Sequence, residues 1–483
     1  MKHLNEYKIF VQRIGLVGIA NILVQLSALI LLPILTKSFS ISDYGIWVQI
    51  NTTIALLPNF ATLGLPYTMV RFLSAETDNE KIRDGFYSIL SIVVVSTFII
   101  SLLLLIFSKA IASAIFDGDV NVAMLLSLIV FIACLNTLLL NFFRTFQEMK
   151  KYSLFLLLQT YLGVFIVSYL AINGFGIFMA ALGLLIANII TFIVMLAFII
   201  LNIGIKIPNF KDLREYLSFG LPTIPGNLSS WIVNSSDRYI IGIFLGAAFV
   251  GYYSPGYTLG YCISILMAPF ALLLPSVLPQ YYDEDNIEKV VLFLKYSMKY
   301  FLLIAIPSTF GLSILSKPVL MILTTPEIAL NGYLITPLTA LSSLLYGVYA
   351  IISNVLVLEK KTKVIGTIWI LVAVLNLGLN IFLIPYYGIL AAAVTTLIAY
   401  ALAFILTLRY STNYLESDFK FILKSVTASI VMSGLLIFIN PQSLLNIIIA
   451  VIISAFVYFG LLILLRGIEK EEFQFFKEML GKN

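Results

Sequence analysis

Histidine is nearly absent from this 483-residue chain, occurring once as His3, and cysteine occurs only as Cys134 and Cys262. A histidine-built metal centre or proton relay is thereby close to excluded. Both thiols fall inside apolar stretches, where they act as small apolar side chains and imply no disulfide framework. Charge is also scarce. Asp, Glu, Lys and Arg make up 11% of the chain, against about 25% in soluble globular proteins. There is no glycine loop ending in Lys-Ser or Lys-Thr to cradle nucleotide phosphates. No connecting segment is long enough to fold as a catalytic domain. The nearest paired-carboxylate candidate, Asp117-Gly118-Asp119, reads as a solvated turn. Neither a catalytic residue, a metal nor a cofactor is expected.

Apolar residues are what the chain has in abundance: 61% of the total, with a mean hydropathy of +1.04. Crossing about 30 Å of hydrocarbon takes about 20 apolar residues per helix, with every backbone polar group paired inside that helix. Fourteen stretches qualify, near 15–36, 44–65, 86–107, 121–142, 153–173, 177–201, 218–245, 252–274, 297–316, 333–357, 364–384, 388–408, 421–439 and 443–465. The expected fold class is an all-α polytopic membrane protein. The first span is expected to serve as an uncleaved anchor.

The basic residues alternate across these spans. Every second connection and both tails hold nearly all of them, leaving Lys37, Lys109, Arg238 and Lys317 of the 29 for the other side. Positive charge marks the cytoplasmic side, which places both termini inside. The net charge of +5 is thus a topology signal, and nucleic acid is not an expected partner. The segment Glu469 to Lys482, with Phe473, Phe476 and Leu480 at helical spacing, is expected to lie on the inner leaflet surface.

Two stretches about 205 residues apart look like copies. Gly15 through Asn21 runs into Ser42-Asp43-Tyr44-Gly45, and Gly220-Leu221-Pro222-Thr223 runs through Asn227 into Ala248-Phe249-Val250-Gly251. Each copy holds six spans, so both enter the membrane in the same sense, and a substrate site is expected between them. The expected division is a six-helix bundle over 1–201, a second over 202–408, and two further helices with the tail over 409–483.

Intramembrane polar groups are costly and mark functional positions. Asp237 and Arg238 are adjacent charges within the seventh span. At 1.5 Å per residue, Asp237 lies about 24–28 Å from the inner end of that span, towards the outer leaflet. Asn227, Ser230, Asn234 and Arg238 follow at i, i+3, i+7 and i+11, a single stripe with Asp237 beside it. Either the stripe lines a water-filled cavity, with Arg238 meeting an anionic headgroup, or its members bond to one another between helices. The amide pairs Asn21 with Gln25 and Asn376 with Asn380 admit the same two readings. Pro222 and Pro225 predict a kink or unwound turn at the start of the seventh span, and Pro307 a kink in the ninth. Arg71 and Arg144 abut inner ends of spans as lone guanidiniums suited to bidentate phosphate contact. Lys360, Lys361 and Lys363 read as part of the topology signal.

Several motifs together resemble the polysaccharide exporters of the O-antigen flippase type, within the superfamily that also holds multidrug and toxin extrusion transporters and lipid II flippases. They are Leu31-Leu32-Pro33-Ile34-Leu35-Thr36 followed by Asp43-Tyr44-Gly45, then Phe219-Gly220-Leu221-Pro222, Ser236-Asp237-Arg238-Tyr239 and Gly251-Tyr252-Tyr253. Glu359-Lys360-Lys361-Thr362, Asn376 through Asn380, Ile384-Pro385-Tyr386-Tyr387-Gly388 and Ala391-Ala392-Ala393 complete the set. The resemblance implies a V-shaped pair of six-helix bundles that moves a polyprenyl-diphosphate-linked oligosaccharide by alternating access. Its implied partners are that glycan, membrane lipid and glycan-assembly enzymes. A cation-coupled drug exporter of the same fold is the alternative, for which Asp237 is the one buried carboxylate at hand. A membrane-embedded glycan polymerase or ligase is disfavoured by the short outer loops.

Overall fold

The structure is a computed structural model describing residues 2–415 and 418–467, with side chains from Gly15 onward. Every regular element among the described residues is helical. Helices α1 (Lys2–Ser38), α2 (Ile41–Leu56), α3 (Pro58–Ala61), α4 (Leu65–Leu73), α5 (Asn79–Ile106), α6 (Ser108–Ile115) and α7 (Val120–Thr145) lead into α8 (Met149–Ile172) and α9 (Gly176–Ile203). There follow α10 (Leu213–Gly220), α11 (Ile224–Leu245), α12 (Ala247–Tyr261), α13 (Ala268–Asp283), α14 (Ile287–Leu323) and α15 (Pro326–Gly332). The described residues end with α16 (Ile335–Leu358), α17 (Thr362–Tyr387), α18 (Ile389–Ser411), α19 (Phe419–Ile439) and α20 (Leu444–Leu464). The expected surface helix over Glu469 to Lys482 lies outside the described residues.

Twelve helical stretches are long and apolar enough to cross a membrane, or thirteen if the bent pair Ile41–Ala61 and Leu65–Leu73 is one span. The expectation of fourteen differs at the seventh span. There α11 has 22 residues but too many polar ones to qualify by composition, because Asp237, Arg238 and six Asn and Ser residues share it. The second span is not one helix either. Pro58 begins a new turn, Leu63 and Gly64 take positive φ, and the chain bends by 53°. Span eight is a helix over Ala247–Asp283 that tightens to a 3-10 turn at Cys262–Met267.

Helix starts follow local side-chain chemistry. Asp78 caps α5 through the Glu80 amide at 2.8 Å, Ser40 caps α2 through Asp43 at 3.1 Å, and Ser443 caps α20 through Asn446 at 3.2 Å. Each satisfies an amide that the first turn leaves without a partner. Gly204 and Gly246 end α9 and α11 at positive φ. Between α10 and α11 the chain makes a 3-10 turn at Leu221–Thr223, where Pro222 and Pro225 withhold donors. Pro307, by contrast, lies within a continuous α14.

The chain divides into two compact units. One is the part up to Ser254 with Trp369–Thr395, and the other is Pro255–Ile368 with the part from Thr396. In the first, α1 packs along α8, and α7 against α4, α5 and α9. Phe86, Phe142, Phe143 and Phe155 form its aromatic centre, with ring centroids of Phe86 and Phe142 at 5.0 Å. In the second, α14 is flanked by α16 and α19, and α19 by α20. There the hydroxyl of Tyr458 donates to the Leu303 carbonyl at 2.9 Å and pairs with Ser425 at 2.8 Å.

Candidate functional site

The polar stripe of α11 lies in the first unit, together with α1 and α2. Asp237 is 1% exposed and the Arg238 side chain 12%. Arg238 Nη1 donates to Asp237 Oδ1 at 3.2 Å and to the Asn234 carbonyl at 2.9 Å. On the other carboxylate oxygen, the buried Tyr253 hydroxyl donates at 2.5 Å. The Arg238 guanidinium also stands 5.9 Å from the Tyr253 ring centre. The two charges therefore neutralise one another. Arg238, expected to meet an anionic headgroup, is committed to its neighbour, because a buried carboxylate without a partner is far costlier than a local ion pair.

Helix α2 closes over this pair. Gln49 Nε2 donates to the Arg238 carbonyl at 2.6 Å, and Thr53 pairs with the Tyr239 hydroxyl at 2.5 Å. Gln49 takes the space that a side chain at Gly242 would need. Further along, Tyr67 of α4 donates to Asn227 Oδ1 at 3.4 Å, and Asn234 Nδ2 donates to the Ser230 carbonyl at 2.8 Å. Asn227, Ser230 and Asn234 are all partly exposed.

Asn21 and Gln25 are exposed on α1. On α2, Asn51 is exposed as well and bonds only to its own helix, at the Trp47 carbonyl (2.9 Å). Amides in apolar helices that find no neighbouring helix need water or a polar ligand. Asn376 and Asn380 differ. Both are buried; Asn380 Nδ2 donates to Asn376 Oδ1 at 3.2 Å, and Thr395 of α18 donates to Asn380 Oδ1. They join α17 to α18, as interhelical amides commonly do.

Arg71 and Arg144 stand in the last turns of α4 and α7, two helices packed together, and both are exposed. In the second unit, Lys361 pairs with Glu359 at 2.8 Å. Among the described residues no group of three or more His, Cys, Asp and Glu could hold a metal ion.

Sequence reasoning gave no site role to Gln49, Thr53, Tyr239 or Tyr253, although both tyrosines stand in the motifs that carry the resemblance. Gln49 and Thr53 stand at i and i+4 in an apolar span, the same signal that singled out Asn21 with Gln25. The tyrosines carry no such signal, since an aromatic at helical spacing reads as core. An amide network of α7, α8 and α9 also escaped notice. In it Asn136 Nδ2 and Gln159 Nε2 donate to Asn188 Oδ1 at 3.1 and 3.0 Å. The Asp117 turn, expected to be solvated, is exposed and in addition joins helices: Asp117 accepts from Ser42 and from the Ala247 amide at 3.2 Å.

The fold is that of a known class of multi-pass transporter. A structure of the lipid II flippase MurJ in an inward closed conformation aligns with a TM-score of 0.76 at 19% identity, over 93% of this chain and 98% of that one. An inward-facing multidrug resistance MATE family transporter aligns with a TM-score of 0.65 at 16% identity, over 82% and 98%. Residues 10–281, more than half of the chain, match the model of the polysaccharide biosynthesis protein family, and the protein belongs to that family. Two Haloferax volcanii proteins are similar in sequence. One, described as a probable low-salt glycan biosynthesis flippase, Agl15, is 23% identical over 57% of this chain and 59% of its own length. The other, described as a probable flippase, AglR, is 28% identical over 37% of each.

Proposed function

We propose that the protein is a flippase that carries a polyprenyl-diphosphate-linked oligosaccharide across the cytoplasmic membrane by alternating access, for assembly of a cell-surface polysaccharide. The observation that carries this reading is the set of uncharged amides along the membrane-spanning helices, exposed at Asn21 and Gln25 on α1 and Asn51 on α2, and partly exposed at Asn227 and Asn234 on α11. Each amide both donates and accepts, which matches sugar hydroxyls. Membership of the polysaccharide biosynthesis family and relatives described as flippases support the same reading.

Both termini face the cytoplasm, as the distribution of Lys and Arg requires. Residues 1–201 and 202–408 act as the two alternating bundles, with 409–483 appended. Asn21, Gln25, Asn227, Ser230 and Asn234 touch the glycan. Arg71 and Arg144 receive the diphosphate at the cytoplasmic mouth, where the polyprenol stays in the lipid. Asp237 and Arg238 hold α11 to α2 and α12, and Asn376 with Asn380 holds α17 to α18. The protein itself makes and breaks no bond, and works after the enzymes that build the glycan on the inner leaflet.

The test is a strain lacking the gene, scored for lipid-linked oligosaccharide retained on the cytoplasmic leaflet. Wild-type protein should relieve the accumulation, and Asn21→Leu with Gln25→Leu should not. Normal surface glycan in the deletion strain, with new sensitivity to cationic drugs, would instead favour a cation-coupled exporter of this fold. Glycan elongation by purified protein would favour a polymerase.

A further inference from the structure

The turn between α6 and α7 has a role that the path residues do not account for. Phe116 is fully buried and anchors the turn. The Gly118 amide donates to the Ala112 carbonyl and the Asp119 amide to the Phe116 carbonyl, both at 2.9 Å. Asp119 Oδ1 takes the Asn121 and Val122 amides at the head of α7, at 3.0 and 3.1 Å. Within this frame Asp117 adopts a φ of 48°, a left-handed conformation that Asp tolerates better than most residues.

Asp117 does not cap its own turn. Its Oδ2 accepts the hydroxyl of Ser42 in the first turn of α2, and its Oδ1 accepts the amide of Ala247, the first residue of α12, at 3.2 Å. One carboxylate thus meets the N-terminal turns of the two helices that occupy matching places in the two sequence copies. Both turns offer amides without helical partners and the positive end of a helix dipole. Immediately below, α2 and α12 cross backbone to backbone at Gly45 and Gly251.

We propose that Asp117 is a latch that holds the outer ends of α2 and α12 together in this state, and that transport requires the link to open. The proposal rests on the transporter reading and not on the identity of the cargo. Exposure suits the role: Asp117 and Ser42 meet at the surface, where water can replace either partner at small net cost. The buried contact of Asp237 with Tyr253 has no such replacement. A link of this strength biases an equilibrium without locking it, and its loss should shift the closed-to-open ratio by about tenfold.

The test uses the full chain in cells, with Cys134→Ala and Cys262→Ala. In the first arm Asn51→Cys, on α2 below the glycine crossing, reports access from outside to a membrane-impermeant maleimide. Adding Asp117→Ala should raise its labelling rate about tenfold, and an unchanged rate in folded protein would overturn the proposal. The second arm places Asp117→Cys and Ala247→Cys together in the deletion strain. Oxidation should join them and abolish surface glycan, and a reductant should restore it. Full surface glycan from the joined protein would overturn the latch, and where the two thiols do not join the labelling arm decides. If reduced and wild-type proteins alike restore no glycan, the flippase reading fails, while the labelling arm still decides on Asp117.

Discussion

Gly45 and Gly251 face one another across a helix crossing: a methyl group added to Gly45 would stand 3.2 Å from the Gly251 nitrogen and would collide with the Ala247 carbonyl. These are the closing glycines of the two stretches that look alike in sequence, and they meet in one contact. Gly64 and Gly220 make a second such approach, each lacking room for a side chain against the other's backbone. Between them lie the Gln49 bond to Arg238 and the Thr53 pair with Tyr239, so α2 with α4 follows α10 to α12 along one seam.

Gly45→Ala should separate that seam. The obstruction is backbone, which cannot rotate away, so the overpacking cost should be about 1–3 kcal/mol. Thermal unfolding in detergent should show a lowered midpoint. Gly434→Ala, where nothing lies within 4 Å, should match or exceed the wild type, since Ala is favoured over Gly in a helix by about 1 kcal/mol.

For the pair Asp237 and Arg238, removing one member should be worse than removing both. Arg238→Gln leaves a buried carboxylate without its cation, at a cost of about 3–5 kcal/mol. The double substitution Asp237→Asn with Arg238→Gln should recover part of that loss in a double-mutant cycle of unfolding free energies. Strict additivity would show that the two charges act separately.

The amides should sort into two kinds. Asn21→Leu and Gln25→Leu should leave thermal stability near the wild type and reduce transport, because neither side chain is tied to a neighbouring helix. Asn380→Ala should do the reverse in emphasis, lowering stability by about 1–3 kcal/mol as Thr395 and Asn376 lose a buried partner. Equal stability losses in all three would return Asn21 and Gln25 to an interhelical role.

Arg71 and Arg144 should not tolerate lysine. A point charge replaces neither the planar fork nor its paired donors. Binding of a short polyprenyl diphosphate to purified protein should weaken by about tenfold in Arg71→Lys and further in Arg71→Ala, consistent with about 1.5–3 kcal/mol for a charge-assisted bond. Affinity indifferent to both residues would remove them from the phosphate site.

Much of the fold was legible because hydrocarbon imposes one rule on every span: apolar side chains outside, backbone bonds within. That rule located nearly all the helices. It failed at α2, whose break depends on Pro58 and the left-handed Leu63 and Gly64, and it counted α11 as a span, marked by its polar stripe, although its composition is not apolar enough. The candidate site was legible as a list of polar residues. Sorting that list required knowing which helix lies opposite, and so Asn376 and Asn380 could not be told from Asn21 and Gln25.

By itself, the sequence determined that this is an all-helical, multi-pass membrane protein, since composition and hydropathy act over short range. Tertiary structure alone decided that Arg238 is neutralised by Asp237 under the Tyr253 hydroxyl, that Gln49 seals α11, and that Asp117 reaches two helix ends from a third element. Those relationships join residues up to 189 positions apart. No local pattern encodes them, because a side chain's partner is set by how helices pack and not by its neighbours along the chain.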